Sequence, residues 1–191
     1  QYQSDTELKQ YYDAEIAKLK DTLSSWDKDK VAAENKAKIE AHKIAAEKAK
    51  AAGEKRPHYP RLQKNPDENN TLPSTLYNAM IAPLVPYAMK GAIWYQGEAN
   101  ASFATNQYEY RFTKMIEGWR QAWDLPLDFY WCQLAQFKKA LKEPAPASTW
   151  VQIQHQQNLC MKLPNSGMAV LNDIGDAADI HPINKIDAGK R

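Results

Sequence analysis

Three short apolar runs constrain the fold of this 191-residue chain more than any other feature. They are "GAIWYQ" (91–96), "DFYWCQLA" (128–135) and "GMAVLND" (167–173), each bounded by Gly, Pro, Asn or Asp, the form of a buried strand. Between the first two, Tyr108, Phe112, Met115, Trp119 and Trp123 recur at spacings of three and four, which puts them on one helix face. Between the second and third, "STWVQIQHQQNLCMKL" reads as a helix capped by Ser148 or Thr149. Pro182 suits the first turn of a last helix, "PINKIDAGKR", and "STLYNAMIAPL" upstream reads as a helix ending by Pro83 or Pro86. Strands alternating with amphipathic helices predict a parallel sheet with right-handed crossovers. Ligands of such sheets bind beyond the carboxyl ends of the strands. Two polar loops fall there: Gln96-Gly97-Glu98, and the segment from Asp173 through Asp176 and Asp179 to His181.

The chain before these runs has a different character. Residues 1–56 are charged, Ala-rich and nearly free of Gly and Pro, and predict a helical hairpin inserted into or flanking the main domain. Ser4 and Glu7 have the spacing of a capping box, and Leu8, Tyr12, Ile16, Leu19, Leu23 and Trp26 form one helix face. His42, alone in the second, polar helix, reads as a surface residue. Residues 57–73 are a Pro- and Asn-rich linker, and residues 74–191 are the α/β part. A net charge of +2 argues against a nucleic-acid groove or a polybasic membrane surface, and no apolar run is long enough to span a bilayer. The N-terminus has neither the form of a signal peptide nor an initiator Met, so a processed product or a piece of a longer protein is expected. Cys132 and Cys160 lack metal-ligand spacing and read as buried thiols.

His181 stands two residues after Asp179, so that in an extended segment both side chains point the same way. An Asp can hold a His in one tautomer and stabilise its imidazolium, as a general base requires. On spacing alone, a polar loop whose aspartates serve as turn and cap residues is the simpler reading. A divalent-cation site from the three Asp, Glu98 and His181 is a rival, but no second His lies close in sequence. Gln96 offers an amide donor, and Gly97 an N–H where the backbone can approach a substrate; both suit an oxyanion. Glu98 and Asn100 would orient neighbours or bind sugar hydroxyls. A strand-end turn capped by Gln96 and Glu98 explains the same residues. The attacker is missing: no serine lies in a Gly-x-Ser-x-Gly elbow or a Gly-Gln-Ser-Asn context, and neither cysteine is placed for the role.

"LYNAMIAPLVPYAMKGAIWYQGEAN", "YEYRFTKMIEGWRQAW", "DFYWCQLAQF" and "VLNDIGDAADIHPINK" together resemble the sialate O-acetylesterase family of the SGNH (GDSL-like) hydrolases, from about Tyr59 to Arg191. The resemblance implies a flavodoxin-like three-layer α/β/α fold and a serine-esterase mechanism with no metal and no cofactor. The substrate would be an O-acetylated sugar, sialic acid or hemicellulose. It puts the catalytic base on His181, with Asp179 as its partner; many relatives carry that Asp three residues before the His, where this chain has Ala178, so Asp176 stays open. It gives the oxyanion role to Gln96 and Gly97 and makes Glu98 and Asn100 supports. Gln154 stands where relatives often have Arg. The family's serine block and first strand have no counterpart here. The expectation is therefore an incomplete domain, inactive alone, whose nucleophile comes from a missing N-terminal segment or another chain. The alternative is a non-catalytic carbohydrate-binding α/β module. Glycan deacetylation would place the protein outside the cell or in the periplasm, with no nucleic-acid or membrane partner.

Overall fold

A computed structural model describes residues 5–70, 72–139 and 148–191. The chain forms two compact units that divide between Pro83 and Leu84.

In the first unit, α1 (Thr6–Ser24) and α2 (Lys28–Ala51) are each started by an aspartate. Asp5 Oδ1 accepts from the Leu8 N–H at 3.1 Å and Asp27 Oδ1 from the Lys30 N–H at 2.9 Å, satisfying donors that a first turn leaves without partners. Ser4, expected as the cap, lies outside the described residues. Beyond α2 the chain is anchored to that helix. The Asn35 amide donates to Gln63 O at 2.7 Å and accepts from Gln63 N at 3.0 Å. The Tyr59 ring meets His42 edge-on at 5.1 Å. His42 is consequently only 8% exposed, which corrects its reading as a surface residue. Its partner sits in a proline-rich stretch with no periodicity linking it to the helix. The helix expected over "STLYNAMIAPL" is instead a π turn, Tyr77–Ile81, running into a 3-10 turn, Ala82–Leu84. Pro83 and Pro86 bring no N–H to continue an α-helical ladder.

The second unit holds β1 (Gly91–Trp94), α3 (Tyr108–Trp123), β2 (Asp128–Cys132), α4 (Thr149–Leu159), β3 (Ser166–Ala169) and α5 (Lys185–Lys190). The strands form a parallel sheet in the order β1-β2-β3, with Ile93 opposite Tyr130 and Tyr130 opposite Gly167. This is the expected α/β architecture, incomplete as read. One face of the sheet packs on α3 and α4. There Phe129 and Ile116 are fully buried, and Trp94, Phe112, Trp119 and Phe129 meet with ring centres 5.8–6.4 Å apart. Burying rings of this size is the main apolar contribution to the unit. The other face is unlike that of a doubly wound sheet, since Ile93 is 84% exposed and Tyr130 51%. α4 begins at a Ser148 cap, as expected, whereas α5 begins three residues after Pro182. Asn184 is its cap: the side chain accepts from the Asp187 N–H at 3.2 Å and so sets the first turn.

Candidate active site

The chain leaving β1 turns at once. Gly97 has φ +152°, a conformation side-chain-bearing residues rarely adopt, and a Cβ there would lie 3.3 Å from Gln157 Nε2 and 3.4 Å from Leu134. The turn gathers the first group of expected residues. Gln96 Nε2 donates to Asn100 Oδ1 at 2.9 Å, and the Gly97 N–H donates to Glu98 Oε2 at 2.9 Å. Gln96 O accepts from the Tyr108 hydroxyl at 3.0 Å and from Gln157 Nε2 at 3.2 Å.

The loop after β3 holds the second group. Asp179 Oδ1 accepts from the His181 backbone N–H at 2.8 Å and lies 3.7 Å from His181 Nδ1. The latter distance is an ion-pair contact, longer than a hydrogen bond. The His181 side chain is 82% exposed. Asp176 turns to its own backbone, accepting from Ala178 N at 2.7 Å. Asp173 is clamped by Arg191, whose guanidinium reaches both carboxylate oxygens at 2.5 and 2.8 Å and also Val170 O at 2.8 Å. That pairing holds the Asp173 carboxyl below the usual carboxylate range. Among the described residues, no three His, Cys, Asp or Glu side chains converge on a point that could hold a metal ion.

Packing sets the second group beside the strand ends. Phe137 and Asp176 form an isolated parallel bridge, and a Cβ on Gly175 would lie 1.8 Å from Gln136 O, so only glycine lets the two backbones approach this closely. Ile180 packs against the core cluster. Lys185 Nζ stands 4.8 Å from the centre of the Tyr95 ring, which ties the start of α5 to the end of β1. Burial, then the neighbouring Cys132 and Glu98, push the Tyr95 phenol up. The structure therefore brings Gln96, Gly97, Glu98 and Asn100 together in one turn and Asp179 and His181 together in another. Among the described residues, no hydrogen bond or ion pair joins the two turns, and no serine hydroxyl bonds to His181.

The family profile "Carbohydrate esterase, sialic acid-specific acetylesterase" matches residues 62–184, most of the chain. The chain belongs to this acetylesterase family. Over 129 residues it is 36% identical to the sialate O-acetylesterase of Mus musculus, and over 127 residues 33% identical to that of Homo sapiens. Each alignment covers 59% of this chain and 24% of the relative, so the chain spans about a quarter of the length of the curated relatives it matches. A crystal structure of a carbohydrate acetylesterase from Xanthomonas citri superimposes with a TM-score of 0.59 at 44% identity, over 65% of this chain and 29% of the other.

Sequence reasoning overlooked how this acetylesterase segment supports its turns. Trp150, Gln154 and Gln157 lie on one face of α4, and all three donate to carbonyls at the strand ends. Trp150 Nε1 reaches Ala135 O at 2.9 Å, and Gln154 Nε2 reaches Leu134 O at 2.8 Å. Gln157 is fully buried; besides holding Gln96 O it accepts from Leu134 N at 2.8 Å. The signal was present as a polar residue on what should be a buried helix face. Its partners are backbone atoms of distant loops, which a sequence does not display.

Proposed function

We propose that this chain supplies the base and the oxyanion donors of a carbohydrate O-acetylesterase, a carboxylic-ester hydrolase that removes acetyl groups from O-acetylated sialic acid or hemicellulose. The observation that carries the reading is the Gly97 N–H. It stands at the carboxyl end of β1 and already holds a carboxylate oxygen at 2.9 Å, within the range an oxyanion donor requires. The acetyl carbonyl oxygen would take the place of Glu98 Oε2 as charge develops on it. Gln96 has two amide hydrogens; Asn100 binds one and orients the group, leaving the other as a second donor.

The reaction is acyl transfer. A serine hydroxyl attacks the acetyl carbon and gives its proton to His181, and the oxyanion rests on Gly97 and Gln96. The tetrahedral intermediate collapses, the sugar oxygen leaves with the proton from His181, and an acetyl-serine remains. Water, deprotonated by His181, then releases acetate and restores the serine. Asp179, nearest of the three aspartates to the imidazole, would orient it and stabilise its cation. No serine hydroxyl among the described residues bonds to His181; on this reading another segment or chain carries the serine and completes the site, and this chain alone would not turn over. Ile93 and Tyr130 on the exposed sheet face fit a domain that more polypeptide completes. A substrate of this class places the protein in the secretory route or periplasm. No helix among the described residues is long and apolar enough to cross a membrane.

Acetate release from O-acetylated sialic acid and acetylated xylan fragments by the full-length protein tests the reading. His181→Ala should lower kcat by roughly 10²–10⁴-fold, the range of general acid–base catalysis, and a chelator should leave the rate unchanged. Loss of activity with chelator would contradict the serine mechanism. That no serine among the described residues bonds to His181 favours one other reading, a sugar-binding module without catalysis. That reading predicts sugar binding with no acetate released by any form of the protein.

A further inference from the structure

Gln157 does more than fill a buried position. Its amide can be oriented only one way: Leu134 presents an N–H, so the oxygen faces Leu134 and the NH₂ group is left for carbonyls. One of these is Gln96 O at 3.2 Å, and Cys132 O lies at 3.5 Å. A single side chain from α4 thus spans the ends of β1 and β2. The Tyr108 hydroxyl, from the start of α3, makes the second bond to Gln96 O. Burial pushes that phenol up to about 12, so it keeps the proton it donates.

A trans peptide is planar, with C=O and N–H pointing in opposite directions. Two donors pull the Gln96 carbonyl into the protein, and the Gly97 N–H of the same peptide must then face the other way. It does so, onto Glu98 Oε2. We infer that Gln157 and Tyr108 are positioning residues that fix the Gln96–Gly97 peptide with its N–H turned away from them, toward the Glu98 carboxylate, as an oxyanion donor. The inference rests on the esterase reading of the site and names the groups that aim one of its donors. Gly97 fits the same device, because a Cβ at that position would press on Gln157 Nε2 at 3.3 Å and push the amide from Gln96 O.

The test uses the full-length protein, with p-nitrophenyl acetate as substrate and the ¹⁵N–¹H signal of Gly97 as a readout independent of turnover. In the wild type that signal should shift when Glu98→Gln replaces the carboxylate that the N–H binds. Tyr108→Phe keeps the ring and removes one donor. It should lower kcat about tenfold, less than the 10²–10³ for deleting an oxyanion donor outright, leave KM within about twofold, and weaken the Gly97 response. Gln157→Met should do the same more strongly. Tyr108→Phe carries the test alone if the methionine variant does not fold. Unchanged kcat and an unchanged Gly97 response in a folded Tyr108→Phe would overturn the assignment and leave the esterase reading intact. A wild type that releases no p-nitrophenol would overturn the esterase reading, and with it the catalytic meaning of the assignment.

Discussion

Asp179 and Asp176 lie three residues apart in one loop and differ in what they hold. Asp179 bonds the backbone of His181 and stands 3.7 Å from its imidazole, whereas Asp176 closes a turn on Ala178. If the imidazole depends on Asp179, Asp179→Asn should lower kcat roughly 10²-fold, and Asp176→Asn should change it little. Steady-state kinetics of the two variants decides between them, and a larger loss in Asp176→Asn would reverse the assignment. Both aspartates were visible as candidates in the sequence, with Asp179 preferred and Asp176 left open. What the sequence did not display is which backbone N–H each carboxylate meets, because that depends on the path of the loop.

The elements were legible where periodicity was strong. Tyr108, Phe112 and Trp123 mark α3 in the sequence and are buried on it in the fold, and the three apolar runs became three parallel strands. Legibility failed where structure depends on partners distant in sequence, as with the His42 ring against Tyr59 and Gln157 between two strand ends. Gly175 belongs to this second kind, since its need for glycine arises from Gln136. Gly175→Ala should force apart the loops after β2 and β3, lower thermal stability, and cut kcat by up to roughly a hundredfold through misplacement of His181. A variant of unchanged kcat would show that this packing does not position the base. The end of α5 offers a pH test. Arg191 depresses the Asp173 carboxyl, so its tethering is present above the unfolded carboxylate range and is lost as pH falls through the lowered folded value. NMR signals of the Arg191 side chain should therefore hold steady at neutral pH and collapse toward free values only in acid, below the ordinary aspartate range. Collapse near neutrality would contradict the clamp.

At the scale of the molecule, the proposed site is half of a constellation. On the esterase reading β1 would deliver oxyanion donors and the loop after β3 a base and its carboxylate, while α3 and α4 brace the end of β1 through Tyr108 and Gln157. Among the described residues no serine hydroxyl bonds to His181, and the sheet face carrying Ile93 and Tyr130 is exposed, unlike the covered faces of a doubly wound sheet. The expectation of a nucleophile carried elsewhere comes from the contexts of the serines, because a nucleophile needs a recognisable turn around it. The most direct measurement is intact mass after treatment with a fluorophosphonate, which labels only an activated serine. It would be made on this chain and on a form extended on its N-terminal side through a serine-bearing strand. The account predicts one adduct on the longer form, abolished by His181→Ala, and none on this chain. An adduct on this chain alone would mean that a local serine such as Ser102 is the nucleophile, and would contradict the account.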